Sequence, residues 1–385
     1  MKTIFTIAVL FVCALVQAED VYEQVVYKSG DNGYNTYRIP VLYYTQKGTL
    51  LAVAEARKNS PSDTGDIDLV VRKSLDQGQT WSPMRRIWDD GPNTCGNPTV
   101  VQDSGNGRIW LFSTHNLGKD SQKTIATGTS EGVRTIWCCY SDDEGATWSK
   151  HVNISNDVQP KDTRWDATGP GRGIQLKAGA NPGRLIIPAI GRNIQSDDHG
   201  KTWQQSGRLP TGSSESQIVE IAGGALLRND RAVSNKPLNA RVQCTSSDQG
   251  QTWTALDFRK DLTCPICQGS IIAVSHPKGI DGRMLVLANP SAVTRINMSV
   301  QCSFDDGKTW PVKKTIFPGA SAYCCLSDVG PEHIGLLYEN GDAPEKAVKL
   351  YKKITFARFS KDWICGGYNA QTADKADIRD LVIVN

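Results

Sequence analysis

The apolar residues of this chain gather in short β-rich runs and do not follow the 3.6-residue rhythm of an amphipathic helix. Leu69-Val-Val-Arg72, Thr135-Ile-Trp-Cys-Cys-Tyr140 and Ile296-Asn-Met-Ser-Val-Gln-Cys302 set β-branched and aromatic residues over the length of a strand. No run of ten or more residues has a convincing helical period, and Gly and Pro punctuate the chain every few residues. The pattern predicts an all-β protein. One run stands apart. Lys2 precedes an apolar stretch from Ile4 to Val16, and Val16-Gln17-Ala18 supplies small residues of the kind a signal peptidase reads. Residues 1–18 are therefore expected to be a secretory signal peptide, cleaved after Ala18. Its 13 apolar-run residues fall short of the roughly 18 to 20 that span a bilayer. No later segment comes near that length, so no stable membrane span is expected and the product should be secreted or lysosomal.

Several β-rich runs lead straight into a repeated motif. Ser-x-Asp-x-Gly-x-Thr-Trp occurs five times without a mismatch: Ser74 to Trp81, Ser141 to Trp148, Ser196 to Trp203, Ser246 to Trp253 and Ser303 to Trp310. Its aspartates, Asp76, Asp143, Asp198, Asp248 and Asp305, stand 67, 55, 50 and 57 residues apart. That is the length of a four-stranded antiparallel sheet with its loops. Inside each box Asp can accept backbone N–H groups and Gly can take a positive φ, the chemistry of a hairpin turn that Trp can fold back to cover. Repeats of this length rich in short strands indicate a β-propeller. Dividing the 367 residues after Ala18 by a mean spacing near 57 predicts six blades. No linker or composition shift divides residues 19–385, so they are expected to form a single domain. The boxes specify fold and leave function open.

Composition narrows the chemistry. The chain has 43 Lys plus Arg against 40 Asp plus Glu, a formal charge of +3, far from the basic stripe of a nucleic-acid binder. Ten cysteines remain after Ala18, an even count that in a secreted chain leads us to expect disulfides or structural thiols. Cys264-Pro-Ile-Cys267 could be half a zinc or redox site, yet no second such pair accompanies it. The five histidines include no i, i+4 pair, and neither a phosphate-binding loop nor a Gly-x-Ser-x-Gly elbow is present. No metal and no cofactor is expected. Asn153-Ile-Ser155 and Asn297-Met-Ser299 fit the glycosylation acceptor pattern.

The repeats leave a set of polar residues unexplained. Tyr37-Arg38-Ile39-Pro40 precedes an apolar strand, and Ala54-Glu55-Ala56-Arg57 leads to Ser62-Asp63-Thr-Gly65-Asp66-Ile67-Asp68. Together with the boxes these segments resemble the non-viral exo-α-sialidases, or neuraminidases, and the resemblance runs over essentially the whole chain after the signal peptide. It implies an arginine trio of Arg38, Arg231 and Arg295, a tyrosine nucleophile at Tyr323, a paired glutamate at Glu215 and an acid/base at Asp63. Glu220, in the same Glu215-Ser-Gln-Ile-Val-Glu220 segment, is the other candidate for the glutamate. Arg57 matches an additional pocket arginine, and Asn97 in Gly96-Asn97-Pro98 is a candidate sugar contact or a turn residue. One departure stands out: Asp166, before Ala-Thr-Gly-Pro-Gly, occupies a place where bacterial relatives often carry an aromatic residue.

The residue types suit an acidic sugar. Planar guanidinium groups bind a carboxylate bidentately and stay charged at any working pH. The carboxylate of a sialic acid would repel an anionic nucleophile at the adjacent anomeric carbon, which favours a neutral tyrosine whose proton passes to a nearby carboxylate. The resemblance thus implies a retaining exo-α-sialidase acting on the sialylated glycans of glycoproteins, glycolipids or oligosaccharides. Trans-sialidases and intramolecular, anhydro-forming sialidases share the same motifs, and a non-catalytic sialic-acid-binding propeller could share the boxes alone.

Overall fold

The β-rich runs of the sequence form strands, and the box glycines Gly78, Gly145, Gly200, Gly250 and Gly307 turn the chain at positive φ. The computed structural model describes residues 20–233, 239–277, 283–341 and 350–366; the expected signal peptide, with Cys13, lies outside them. Regular helix among these residues amounts to a few short turns such as Gln122–Thr127, Ser155–Val158 and Lys361–Cys365. No helix among the described residues is long and apolar enough to cross a membrane.

The strands associate antiparallel in groups of four. Thr36–Tyr44, Leu50–Arg57, Ile67–Ser74 and Arg85–Trp88 follow one another, as do Thr94–Gln102, Ile109–Asn116, Thr135–Ser141 and Val152–Asn153. One parallel pairing of Ile67 with Thr94 joins these two groups into a nine-stranded sheet, to which Gly171–Arg172 adds beside Thr99 and Val100. Ile174–Gln175, Leu185–Ala189, Arg192–Ser196 and Gln204–Gln205 form a separate four-stranded sheet. Ser213–Glu220, Leu226–Ala232, Ala240–Ser246 and Asp257–Thr263 form another four-stranded sheet. The last sheet has seven strands because Val312–Val329, 18 residues long, serves two groups. Its first half pairs with Ile296–Ser303 and its second half with His333–Asn340. Val21–Lys28, from the opposite end of the chain, then completes that second group beside Lys353–Ser360.

The five boxes form the turns expected of them and do more. In the first, the Ser74 hydroxyl donates to Asp76 at 2.7 Å, and the Asp76 carboxylate accepts the Thr80 N–H at 2.9 Å and hydroxyl at 2.5 Å. The same bonds recur around Asp143, Asp198, Asp248 and Asp305. Each box glycine also abuts the preceding group of strands. A Cβ on Gly78 would lie 2.1 Å from Phe356, and one on Gly200 would lie 2.3 Å from Trp110. A Cβ on Gly145 would lie 2.9 Å from Leu51 and one on Gly307 2.8 Å from Leu227, while one on Gly250 would make an ordinary contact with Asn193 at 3.4 Å. The motif therefore keys one sheet to its neighbour as well as turning the chain.

The expectation of disulfides is corrected. The cysteines from Cys95 to Cys325 are all buried free thiols. Cys138 and Cys139, and likewise Cys324 and Cys325, are successive residues of one strand, so their side chains leave on opposite faces and enter different clusters. They act as small apolar packing residues, and burial pushes the Cys138 thiol up to about 12.

Candidate active site

Four strands slip register, and each slip holds an expected site residue. Pairing jumps between Arg38 and Val41, between Gly96 and Thr99, between Ser213 and Ser216, and between Ser321 and Cys324. Arg38, Asn97, Glu215 and Tyr323 lie in or at these bulges. An extra residue in one strand bends it and re-aims a side chain that regular alternation would send elsewhere. Ile39 and Asn97 are held at positive φ, 56° and 49°, a strained state for a β-branched residue that the surroundings must enforce.

What enforces it at Ile39 is Glu339, which the sequence did not single out. Glu339 is fully buried; its Oε1 accepts the Ile39 N–H at 2.8 Å and Arg38 Nε at 3.2 Å. Its Oε2 accepts the Tyr323 N–H at 3.1 Å and Arg38 Nη2 at 3.4 Å. One carboxylate thus fixes Arg38, the bulge beside it and the backbone of Tyr323.

Tyr323 donates its hydroxyl proton to Glu215 Oε1 at 2.6 Å. Arg231 Nη1 donates to both members of the pair, to Tyr323 Oη at 2.8 Å and to Glu215 Oε2 at 2.7 Å. Burial pushes the Tyr323 hydroxyl well above its ordinary pKa and Glu215 adds to this, against Arg231 and Arg38. The phenol is therefore neutral at rest, with a carboxylate placed to take its proton. Glu220 sits at the other end of that strand, where it accepts the backbone N–H groups of Lys177 and Ala178 at 2.8 Å each, away from Tyr323. Of the two glutamates, Glu215 is the one in the cluster.

The remaining arginines close around the same tyrosine. The Arg38 guanidinium lies 5.0 Å and that of Arg295 lies 5.6 Å from the Tyr323 ring centre. Arg38 Nη1 also donates to Asp63 Oδ1 at 3.0 Å, and Arg57 Nη1 reaches the same oxygen at 2.7 Å. The pocket walls disfavour charge on Asp63, but Arg57 and Arg38 outweigh that and hold its carboxyl below the usual range. Asp63 nevertheless keeps 75% of its side chain exposed, on the loop between Leu50–Arg57 and Ile67–Ser74.

Arg57 differs from the other arginines. It is buried, gives Nε and Nη2 to Glu55 Oε2 at 3.0 and 2.6 Å, and gives Nη1 to the carbonyls of Pro61 and Ser62 as well as to Asp63. Its donors staple the Asp63 loop from behind. Glu55 Oε1 in turn accepts the Asn97 N–H at 2.9 Å, and Asn97 Oδ1 accepts Arg134 Nη2 at 2.8 Å. Arg134, another residue absent from the sequence reading, is buried under Trp165 at 4.2 Å, and burial brings it down to about 10. Asp166 binds Arg192 through both oxygens at 2.6 and 3.0 Å. The aromatic residue near the pocket is thus its neighbour Trp165.

Comparison with known proteins bears on the family and the fold. A family model described as a BNR repeat-like domain matches residues 48–329. The chain is 32% identical over 365 residues to an exo-alpha-sialidase of Aspergillus fumigatus, covering 88% of this chain and 87% of that protein. Among solved structures, the Hadza microbial sialidase Hz136 superposes with a TM-score of 0.77 at 29% identity, covering 89% of this chain and 69% of that one. A leech intramolecular trans-sialidase complexed with 2,7-anhydro-Neu5Ac shares the fold, with a TM-score of 0.76 at 22% identity over 90% of this chain and 71% of that one. The fold is the all-β propeller of sialidases, and the chain belongs to the non-viral exo-α-sialidase family of glycoside hydrolases.

Proposed function

We propose that this protein is a retaining exo-α-sialidase that removes terminal sialic acid from glycans through a tyrosyl-enzyme intermediate. The observation that carries the reading is the 2.6 Å hydrogen bond from Tyr323 to Glu215, with Arg231 bridging both. The substrate carboxylate binds Arg38, Arg231 and Arg295, which sets the anomeric carbon over Tyr323 Oη. As Tyr323 attacks, its proton passes to Glu215, and Asp63 protonates the departing glycosidic oxygen. In the second half Asp63 takes a proton from water, water displaces the tyrosyl oxygen, and Glu215 returns the proton to Tyr323. Two inversions give retention.

Asp63 must carry a proton to act as the acid, yet Arg57, Arg38 and Arg134 favour its anion. A substrate carboxylate on Arg38 competes with Asp63 for that guanidinium, and weakening one of these cations' hold raises the affinity of Asp63 for a proton. Substrate binding and arming of the acid are thereby linked.

The same proposal counts the four-stranded groups as six blades, places residues 19–385 in one domain and residues 1–18 in a cleaved signal peptide, and gives a secreted or lysosomal product. Tyr323→Phe and Asp63→Ala should each slow hydrolysis of a fluorogenic sialoside by at least about a hundredfold, the low end of an acid/base contribution. Near-normal turnover in both variants defeats the assignment. NMR of the first-formed product separates retained sialic acid from a transferred or 2,7-anhydro product.

A further inference from the structure

A second tyrosine touches the arginine trio. Tyr351 Oη accepts Arg295 Nη1 at 2.7 Å, and its ring lies 4.0 Å from the Arg38 guanidinium. Its backbone is pinned from just past Val21–Lys28, since Ser29 Oγ donates to the Tyr351 carbonyl at 2.7 Å. Its side chain packs on the cluster of Ile39, Cys264, Cys267, Ala322 and Tyr323. The three arginines are oriented differently. Arg38 has Glu339 and Arg231 has Glu215, whereas among the described residues no carboxylate pairs with Arg295.

We propose that Tyr351 is a positioning residue for the carboxylate subsite, resting on the sialidase reading above. Its hydroxyl aims Arg295 without neutralising it, because a phenol accepts a hydrogen bond while carrying no charge. Its ring holds the flat face of Arg38 by a cation–π contact. A carboxylate in its place would orient Arg295 equally well but would leave less positive charge for an anionic substrate. Tyr351 thus fixes two guanidinium planes at once and leaves the field of one of them for the ligand.

The test compares wild type with Tyr351→Phe, which removes the hydroxyl and keeps the ring, and Tyr351→Leu, which removes both. The substrate carboxylate is bound alike in ground and transition states, so Tyr351→Phe should raise KM and leave kcat within about threefold. The expected rise is about tenfold, the size of one hydrogen bond to a charged group at its lower end. Tyr351→Leu should exceed it. The discriminating probe is 2,3-unsaturated sialic acid against its C1 amide, each titrated by inhibition. Wild type should prefer the acid, and Tyr351→Phe should lose most of that preference while melting as wild type does. An unchanged acid-to-amide ratio in both variants overturns the role of Tyr351. A wild-type enzyme that binds acid and amide equally overturns the sialidase reading itself.

Discussion

Glu339 offers the most exacting test of how the pocket is built. Glu339→Gln preserves shape and turns one of two acceptor oxygens into a donor. Each oxygen now accepts two bonds, one from Arg38 and one from a backbone N–H, so whichever way the amide turns, an Arg38 nitrogen and a backbone N–H face an NH2 group. The loss comprises about 1.5 to 3 kcal/mol for the charged bond and about 0.5 to 1.5 for the neutral one. The buried Arg38 also loses its buried counter-ion, and breaking such pairs costs about 3 to 5 kcal/mol in total. At about 2 cal/mol/K per residue a chain of this length has an unfolding entropy of roughly 0.7 kcal/mol/K, so Tm should fall by about 4 to 7 °C. Arg38 released from its plane should also weaken its bond to the substrate carboxylate, lowering kcat/KM by about 10- to 150-fold. Differential scanning fluorimetry and initial rates on a fluorogenic sialoside read the two effects. A variant that melts within about 1 °C of wild type with unchanged kcat/KM refutes the account; one that melts lower but keeps its kcat/KM refutes the positioning of Arg38 alone.

The other predictions concern the box motif, the acid and the thiols. Gly78→Ala combines φ of +88° with a Cβ 2.1 Å from Phe356, and strain plus overpacking of about 2 to 4 kcal/mol should lower Tm and leave KM unchanged. Hydrogen bonds from Thr80 hold Asp76 at about 2, and Thr147, against a desolvation cost, does the same for Asp143. These folded values lie below the unfolded value near 3.9, so the unfolded chain binds more protons and stability should be full above about pH 4 and fall towards pH 2. Asp68 has the opposite sign: burial raises it to about 6, so its share of stability declines as pH rises from about 4 to 6. Melting curves from pH 2 to 7 test the balance, and an acid-insensitive Tm contradicts it. Arg57→Met removes the leading cation on Asp63 and should move the alkaline limb of kcat/KM to higher pH by about one unit; an unmoved limb excludes Asp63 as the acid. Iodoacetamide should leave the Cys95 to Cys325 thiols unlabelled in the native protein and label them after denaturation, and early labelling of these thiols contradicts their burial.

The sequence was informative wherever chemistry is local. Each box is eight residues long and its bonds close within that span, so five copies disclosed the four-stranded repeat. Arg38, Glu215 and Tyr323 were legible because each sits in a short segment of family type. Glu339 was not, because its value lies in contacts with a residue 301 positions away, and a lone Glu in Tyr338-Glu339-Asn340 carries no local signal. Tyr351 and Arg134 escaped for the same reason. Arg57 was read as a pocket arginine from its motif, whereas its donors are directed at the loop that carries Asp63. The even cysteine count misled because parity ignores strand alternation: adjacent cysteines on one strand cannot face each other.

The pairing of Val21–Lys28 with Lys353–Ser360 bears on the order of events during synthesis. The first described strand belongs beside the last described one, so its edge waits unpaired until Lys353–Ser360 has been made, an exposure typical of high-contact-order β topologies. Arg38 and Glu339 meet across the same seam. A nascent chain can close its early sheets one by one, and Arg38 can meet the exposed Asp63 early, but it lacks its buried counter-ion Glu339 until ring closure. Catalytic competence therefore comes as a late, all-or-none event, and a nascent chain halted before Lys353 should be inert however well its earlier sheets have formed.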